Sequence, residues 1–241
     1  MRKIPNLILN KLDLTLKKKI NFKYNVNKKS NVIEIIGPSC IGKSFLLSNL
    51  KKATGNKYYY DQEFSSINIH NKEISKYIIT SRNILLKREV DITLDQLQET
   101  YLLGKNLEIK TKVFFLDFIT ENLEFEKSFL ISEGFVHSFS NSIYEAIKNK
   151  EAYINNFFID KKYIYIQPSL KKIKENLNSR KKDKTALGYT YSNLSGNELD
   201  EKINQSIIKY DTIANFISEH NGSVLTVNEE TNINQIINFI S

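Results

Sequence analysis

The residues with the clearest chemistry are Gly37-Pro38-Ser39-Cys40-Ile41-Gly42-Lys43-Ser44. They fit the pattern G-x-x-x-x-G-K-[ST] completely. Glycines at both ends let successive backbone N–H groups curl around phosphate oxygens. A helix opening at the end of such a loop adds a dipole that favours the anion. Lys43 is then placed to span β- and γ-phosphates, and Ser44 to offer its hydroxyl to Mg²⁺. Cys40 lies within the loop, where N–H donors near a helix start can lower a thiol pKa. Its position is nonetheless one of the motif's free ones, open to any small residue.

Arginine is scarce. Only Arg2, Arg82, Arg88 and Arg180 occur, against 31 lysines. Arginine's planar, bidentate fork suits phosphate better than an ammonium does, so an arginine kept in this lysine-rich background is the more informative cation. Other site chemistries are thinly supplied. A single cysteine excludes an internal disulfide and a cysteine-built metal site. His70, His137 and His220 show no metal-ligand spacing.

The elements that must position the loop follow from periodicity. Val32–Ile36 is a short apolar strand, and Lys43–Ala53 a helix with Phe45, Leu46, Leu47 and Leu50 inward and Gly55 at its end. Lys57–Tyr60 reads as a second strand. Residues 64–126 read as mostly helical, with a capping box at Thr93 and Gln96 and a helix end at Gly104. Val113, Leu116, Ile119 and Leu123 recur at helical spacing. Ser128–Ser132 is a third strand, and Asn141–Lys150 a helix. Lys162–Gln167 is a fourth strand, followed by a helix capped by Ser169 and running to Arg180. Residues 181–194 are polar and contain Gly188, as in a loop. Ser195 and Glu198 make a capping box for a long helix, Ser223–Val227 is a fifth strand, and Asn232–Ile240 a last helix. Alternating strands and helices predict an α/β fold, a five-stranded parallel sheet with helices on both faces. Ligands of such sheets bind beyond the carboxyl ends of the strands.

Ahead of this body, residues 1–30 hold nine basic side chains and one acid, which is the whole net charge of +8. The remaining residues carry 26 charges of each sign. Leu12, Leu14, Leu16, Ile20, Phe22, Tyr24 and Val26 alternate, which predicts a small β-hairpin turning at Lys17–Lys19. The domain division is therefore 1–30, a basic arm, and 31–241, the body. The arm suits weak contact with an anionic surface. Nucleic-acid binding is disfavoured, since aromatic residues do not interleave with the basic ones beyond Phe22 and Tyr24. No apolar run approaches the ~18–20 residues of a membrane span. The first residues lack the apolar core of a signal peptide, so the cytoplasm is the expected location.

The order of these features resembles the P-loop kinases of the nucleoside and nucleotide kinase type, over residues 31–241. A second, partial likeness is to the ABC-transporter ATPases. Asn193-Leu194-Ser195-Gly196-Asn197-Glu198 looks like their signature, and Val224–Thr231 like their Walker B strand and turn. That likeness fails because Asn228 stands where an aspartate is needed and only ten residues follow Thr231.

The kinase resemblance implies roles for particular residues. Asp61, after the second strand, would take the acceptor's hydroxyl proton, with Glu63 as rival. Glu133, in the Ser132-Glu133-Gly134 turn, would hold Mg²⁺ through water or orient the acceptor. Ser132 there departs from the aspartate that often begins this turn. Arg180 would close with a lid over 181–194 onto the transferring phosphoryl group. Arg82 and Arg88 would contact the acceptor from the helical region 62–126. The implied activity is ATP- and Mg²⁺-dependent phosphotransfer to a small acceptor: a sugar, sugar acid, nucleoside or nucleotide. The Ser-Glu-Gly turn also looks like kinase homologues encoded with surface-polysaccharide genes, which points toward a glycan acceptor. The alternative is a non-kinase ATPase or a nucleotide-binding switch. A GTPase is disfavoured, because Gln167-Pro168-Ser169 stands where Asn-Lys-x-Asp is required.

Overall fold

The computed structural model describes residues 22–24, 32–66, 100–182, 191, 194–220 and 222–241. Its centre is a parallel sheet built on β2 (Val32–Ile36), whose five residues are all buried. Burial on both sides is what a central parallel strand requires. β4 (Phe129–Ile131) pairs with one edge of β2 and β5 (Lys162–Ile166) with the other, and β6 (Ser223–Val227) pairs with β5. The order is β4-β2-β5-β6. Successive strands are added first to one side of β2 and then to the other, so the end of β2 is the point where the order reverses. Open α/β sheets bind ligands at such a point.

The two faces of β2 have separate cores. Val32 and Ile36 face Phe114, Leu116 and Phe118 of α3 (Thr100–Asn122), Phe135, Phe139 and Ile143 of α4 (Phe135–Lys148), and Ile213 and Ile217 of α6 (Gly196–Glu219). Ile33 and Ile35 face Leu50 of α1 (Lys43–Thr54) and Ile236 and Ile240 of α7 (Ile233–Ile240). A third cluster joins Cys40 and Ile41 to Ile173 and Leu177 of α5 (Leu170–Lys182), Tyr191, and Ile203 of α6. The α/β class and the helices on both faces thus agree with the sequence reading. Among the described residues, no helix is long and apolar enough to cross a membrane.

Several expectations need correction. Among the described residues the sheet has four strands, not five. The expected strand at Lys57–Tyr60 makes one parallel bridge, Tyr59 with Phe129, at the β4 edge. A 3₁₀ turn ends at Lys57 and α2 (Asp61–Ser66) begins at Asp61, which leaves only three extended residues. Glu63 Oε2 accepts the Tyr60 N–H at 3.0 Å and fixes that early helix start.

Gly104 does not end a helix; it lies inside α3. An interior glycine costs about 1 kcal/mol, and burial of the run Val113–Thr120 offsets it. Leu123 belongs to β3 (Leu123–Phe125), which pairs antiparallel with β1 (Phe22–Tyr24). Phe22–Tyr24 thus pairs with a distant strand; the rest of the expected hairpin, and Thr93 and Gln96, lie outside the described residues. Ser169 accepts the Lys172 N–H as a cap, whereas Ser195 precedes α6 without a side-chain cap bond. Finally, α4 begins six residues earlier than its periodicity suggests, for a reason that lies in the site.

Candidate functional site

The chain leaves β2 into the loop Gly37–Gly42 and enters α1 at Lys43. Positive φ at Gly37 (147°), Cys40 (66°) and Gly42 (108°) gives the loop its curl. Gly37 is required twice over, since a Cβ there would also stand 3.2 Å from Ile41 Cγ2 and 3.4 Å from the Ile166 carbonyl. The Lys43 ammonium folds back over the loop, donating to the carbonyls of Gly37 at 2.9 Å and Pro38 at 3.0 Å. It is 8% exposed. Burial lowers its pKa to about 8, against the opposing pull of Glu133, Glu34 and Cys40. An ammonium held this way gains strongly from an incoming polyanion. Ser44, beside it in the first turn of α1, is exposed.

Two of the sequence-predicted residues, Glu133 and Arg180, act on the charge of this ammonium. Glu133 is exposed and acts on Lys43 across the loop mouth. Its neighbour Ser132 binds Asp61 with both available groups: the Ser132 N–H donates to Oδ1 at 2.9 Å and its hydroxyl to Oδ2 at 2.7 Å. From the other side, α5 lies against the loop. Asn176 Nδ2 donates to the Cys40 carbonyl at 2.8 Å, and Arg180 Nη1 to Cys40 Sγ at 3.4 Å. Arg180 is in the last turn of α5, two residues before its end. Lys43, Asp61, Glu133 and Arg180 therefore share one region, whereas Glu63 turns back to cap its own helix. Arg82 and Arg88 lie outside the described residues, as does most of 181–194. Tyr191, within that stretch, is buried with Cys40 and Ile41. Burial raises the Cys40 thiol pKa, more than Arg180 and Lys43 lower it, so the thiol is not activated.

An open groove runs from the loop along α1 toward the ends of β5 and β6. It is lined by Phe45, Gln167, Asn176, Asn228, Glu229 and Thr231, among others. Phe45 is 73% exposed, unusual for a phenylalanine.

Sequence reasoning missed one part of the site. Glu34, in the middle of β2, is 2% exposed. Its carboxylate accepts the N–H of Val136 at 3.0 Å and of His137 at 2.9 Å. These are donors of the first turn of α4, which explains that helix's early start. Burial raises the Glu34 pKa to about 7, more than the two N–H bonds lower it. Burial also lowers the His137 pKa to about 3, helped by the charge on Lys43. Below them, Asp117 and Lys161 form a buried ion pair at 2.9 Å. One signal was present in the sequence: an acid in an otherwise apolar strand just before a phosphate loop.

No family model matches the chain, and neither does any curated protein. Two solved structures of deoxyadenosine kinase from M. mycoides do match, one with dCMP and a flexible dCDP bound and one with dATP. The matched structures are nucleoside kinases. The first is 16% identical, covering 87% of this chain and 96% of its own; the second is 15% identical, covering 86% and 97%. The TM-score is 0.40 in each case.

Among the described residues, no group of three or more His, Cys, Asp or Glu side chains is arranged to hold a metal by itself. Mg²⁺ does not ask for one, because it binds through one or two protein oxygens with phosphates and water. The Ser44 hydroxyl and the Glu133 carboxylate, both exposed, are hard oxygen donors of the kind Mg²⁺ takes.

Proposed function

We propose that the protein is an ATP- and Mg²⁺-dependent phosphotransferase acting on the hydroxyl or phosphate of a small acceptor. The observation that carries this reading is that the charges of Glu133 and Arg180 act on the Lys43 ammonium of the phosphate loop, with Asp61 held on Ser132 beside Glu133. The loop N–H groups and Lys43 hold the β- and γ-phosphates. The groove beside α1 takes the nucleoside half of ATP, with the exposed Phe45 ring available to a base. Its volume, ≈ 1250 Å³, exceeds the ~300–1,000 Å³ of ordinary ligand pockets and leaves ample room.

In the transfer, the acceptor oxygen forms a bond to the γ-phosphorus while the bridging P–O bond breaks and ADP departs. With a hydroxyl acceptor, the proton passes to Asp61, whose carboxylate Ser132 holds in a fixed orientation and which keeps further acceptor lone pairs. Arg180 neutralises the charge spread over the equatorial oxygens. Mg²⁺, held by Ser44 and Glu133, would screen the phosphates and draw charge toward the leaving ADP. The acceptor class comprises sugars, sugar acids, nucleosides and nucleotides, with a surface-glycan precursor as one member.

The test is ADP release measured with and without a panel of these acceptors, in wild type and Lys43→Ala. Acceptor-dependent release that the substitution abolishes supports a kinase. Release that no acceptor stimulates would leave a plain ATPase. Equal thermal stabilisation of both proteins by ATP–Mg²⁺ would remove Lys43 from the site.

A further inference from the structure

Glu34 occupies an expensive position. It interrupts the buried face of β2 between Val32 and Ile36, where an unpaired carboxylate would be strongly disfavoured. The geometry around it is specific. α4 starts after Gly134, which has no side chain to cap the helix. A serine or aspartate there would be the ordinary solution, but a Cβ on Gly134 would stand 2.6 Å from Glu34 Cδ. Glycine at 134 and glutamate at 34 are therefore a matched pair. The cap comes from the neighbouring strand instead of from the turn.

The turn so held is Ser132-Glu133-Gly134. Ser132 carries Asp61 on its N–H and hydroxyl, and Glu133 acts on Lys43. Glu34 itself stands three residues before the loop on the same strand. One carboxylate thus ties the start of α4, immediately after the acidic turn, to the strand that carries the phosphate loop. We propose that Glu34 is a positioning residue, fixing Glu133 and Asp61 relative to the Lys43 ammonium. The proposal rests on the phosphotransfer reading for what those three residues do. The groups facing Glu34 are Asp117 of α3, Lys161 before β5, His137 of α4, Tyr210 of α6 and Lys43 of α1. None of them links the acidic turn to β2, and none replaces the two N–H bonds.

The test uses Glu34→Gln and Glu34→Ala in the full chain. Gln keeps the volume and one acceptor oxygen; Ala keeps neither. Apparent affinity for ATP–Mg²⁺, read by thermal shift, should stay within about 3-fold of wild type in both. ADP release at saturating ATP should fall by about 10-fold in Gln and by about 100-fold in Ala, the scale for loss of groups that orient site residues. Amide hydrogen exchange at Val136 and His137 should quicken, with β5 amides unchanged. A variant that melts earlier but keeps the wild-type maximal rate overturns the proposal and leaves Glu34 a helix cap only. Gly134→Ala, with Glu34 intact, guards against misfolding of the first two. It should press the turn away and lower the rate with ATP affinity kept, and a wild-type rate in that variant also overturns the proposal. If wild type itself releases no ADP, the phosphotransfer reading has failed. Exchange at Val136 and His137 then decides the role of Glu34: unchanged protection in Glu34→Gln overturns it.

Discussion

Binding of ATP–Mg²⁺ should draw a proton onto the protein, and the size of that uptake follows from Lys43. Burial lowers its pKa from the ordinary 10.5 to about 8. The phosphates of a nucleotide favour the charged form, so the bound lysine is fully protonated across the accessible range. Uptake then equals the neutral fraction of the free protein: about 0.1 proton at pH 7, about 0.5 at pH 8 and about 0.9 at pH 9. By linkage the affinity should weaken by about 10-fold from pH 7 to pH 9. A terminal phosphate, with its second pKa near ~6, has finished titrating by pH 8 and does not mask this. The assay is isothermal titration calorimetry in buffers of different ionisation enthalpy at the three pH values. Lys43→Arg is the control, because a guanidinium stays charged throughout and should show no rising uptake. Uptake below about 0.2 at pH 8, or the same pH dependence in Lys43→Arg, would refute the claim that a buried, partly neutral lysine receives the phosphates.

Arg180→Ala should lower the maximal rate by about 10²-fold while ATP affinity changes much less; Arg180→Lys should rescue only partly. A wild-type rate for Arg180→Ala in steady-state kinetics would reduce Arg180 to a brace on Cys40. Asp61→Asn should cost about 10²-fold or more in transfer to a hydroxyl acceptor. Glu63→Ala should leave that rate near wild type and cost about 1 kcal/mol of stability through its cap; the reverse ranking would exchange their roles. Stability against pH should show two opposing trends. His137, lowered to about 3, contributes stability that is whole above 6.5 and lost as pH falls toward 3. Glu34, raised from 4.5 to about 7, keeps in the fold a proton that the unfolded chain has released, so it favours folding more as pH falls from 7 to 4.5. Urea titrations at pH 5 and pH 7 should therefore move in opposite directions, by about 2 kcal/mol each, when His137→Asn and Glu34→Gln are compared with wild type.

What could be read from the sequence was whatever is fixed locally. The loop needs glycines, a lysine and a serine at set spacing, and its strand and helix adjoin it, so the pattern sufficed. Ser223–Val227, bounded by Gly222 and a polar turn, lies where alternation placed it. The second strand misled because its fate depends on competition. Lys57–Tyr60 has strand composition, but Glu63 captures the Tyr60 N–H and begins a helix at once. Asp61, Glu133 and Arg180 are proposed from their order relative to the strands. That order did not reveal that Asp61 and Ser132 bond to each other 71 residues apart.

Glu34 was the least legible, for a reason that bears on buried charge generally. An acid in an apolar strand reads as an interruption, and its partners lie about a hundred residues later. Those partners are backbone N–H groups, which carry no residue type to recognise. The only trace they leave is a glycine at 134, required by a side chain that local pattern does not connect to it. A buried carboxylate must find donors or give up its charge. Here its oxygens find donors at the start of the helix that follows the acidic turn while burial still raises its pKa to about 7, and those two bonds join that helix start to the strand that carries the phosphate loop.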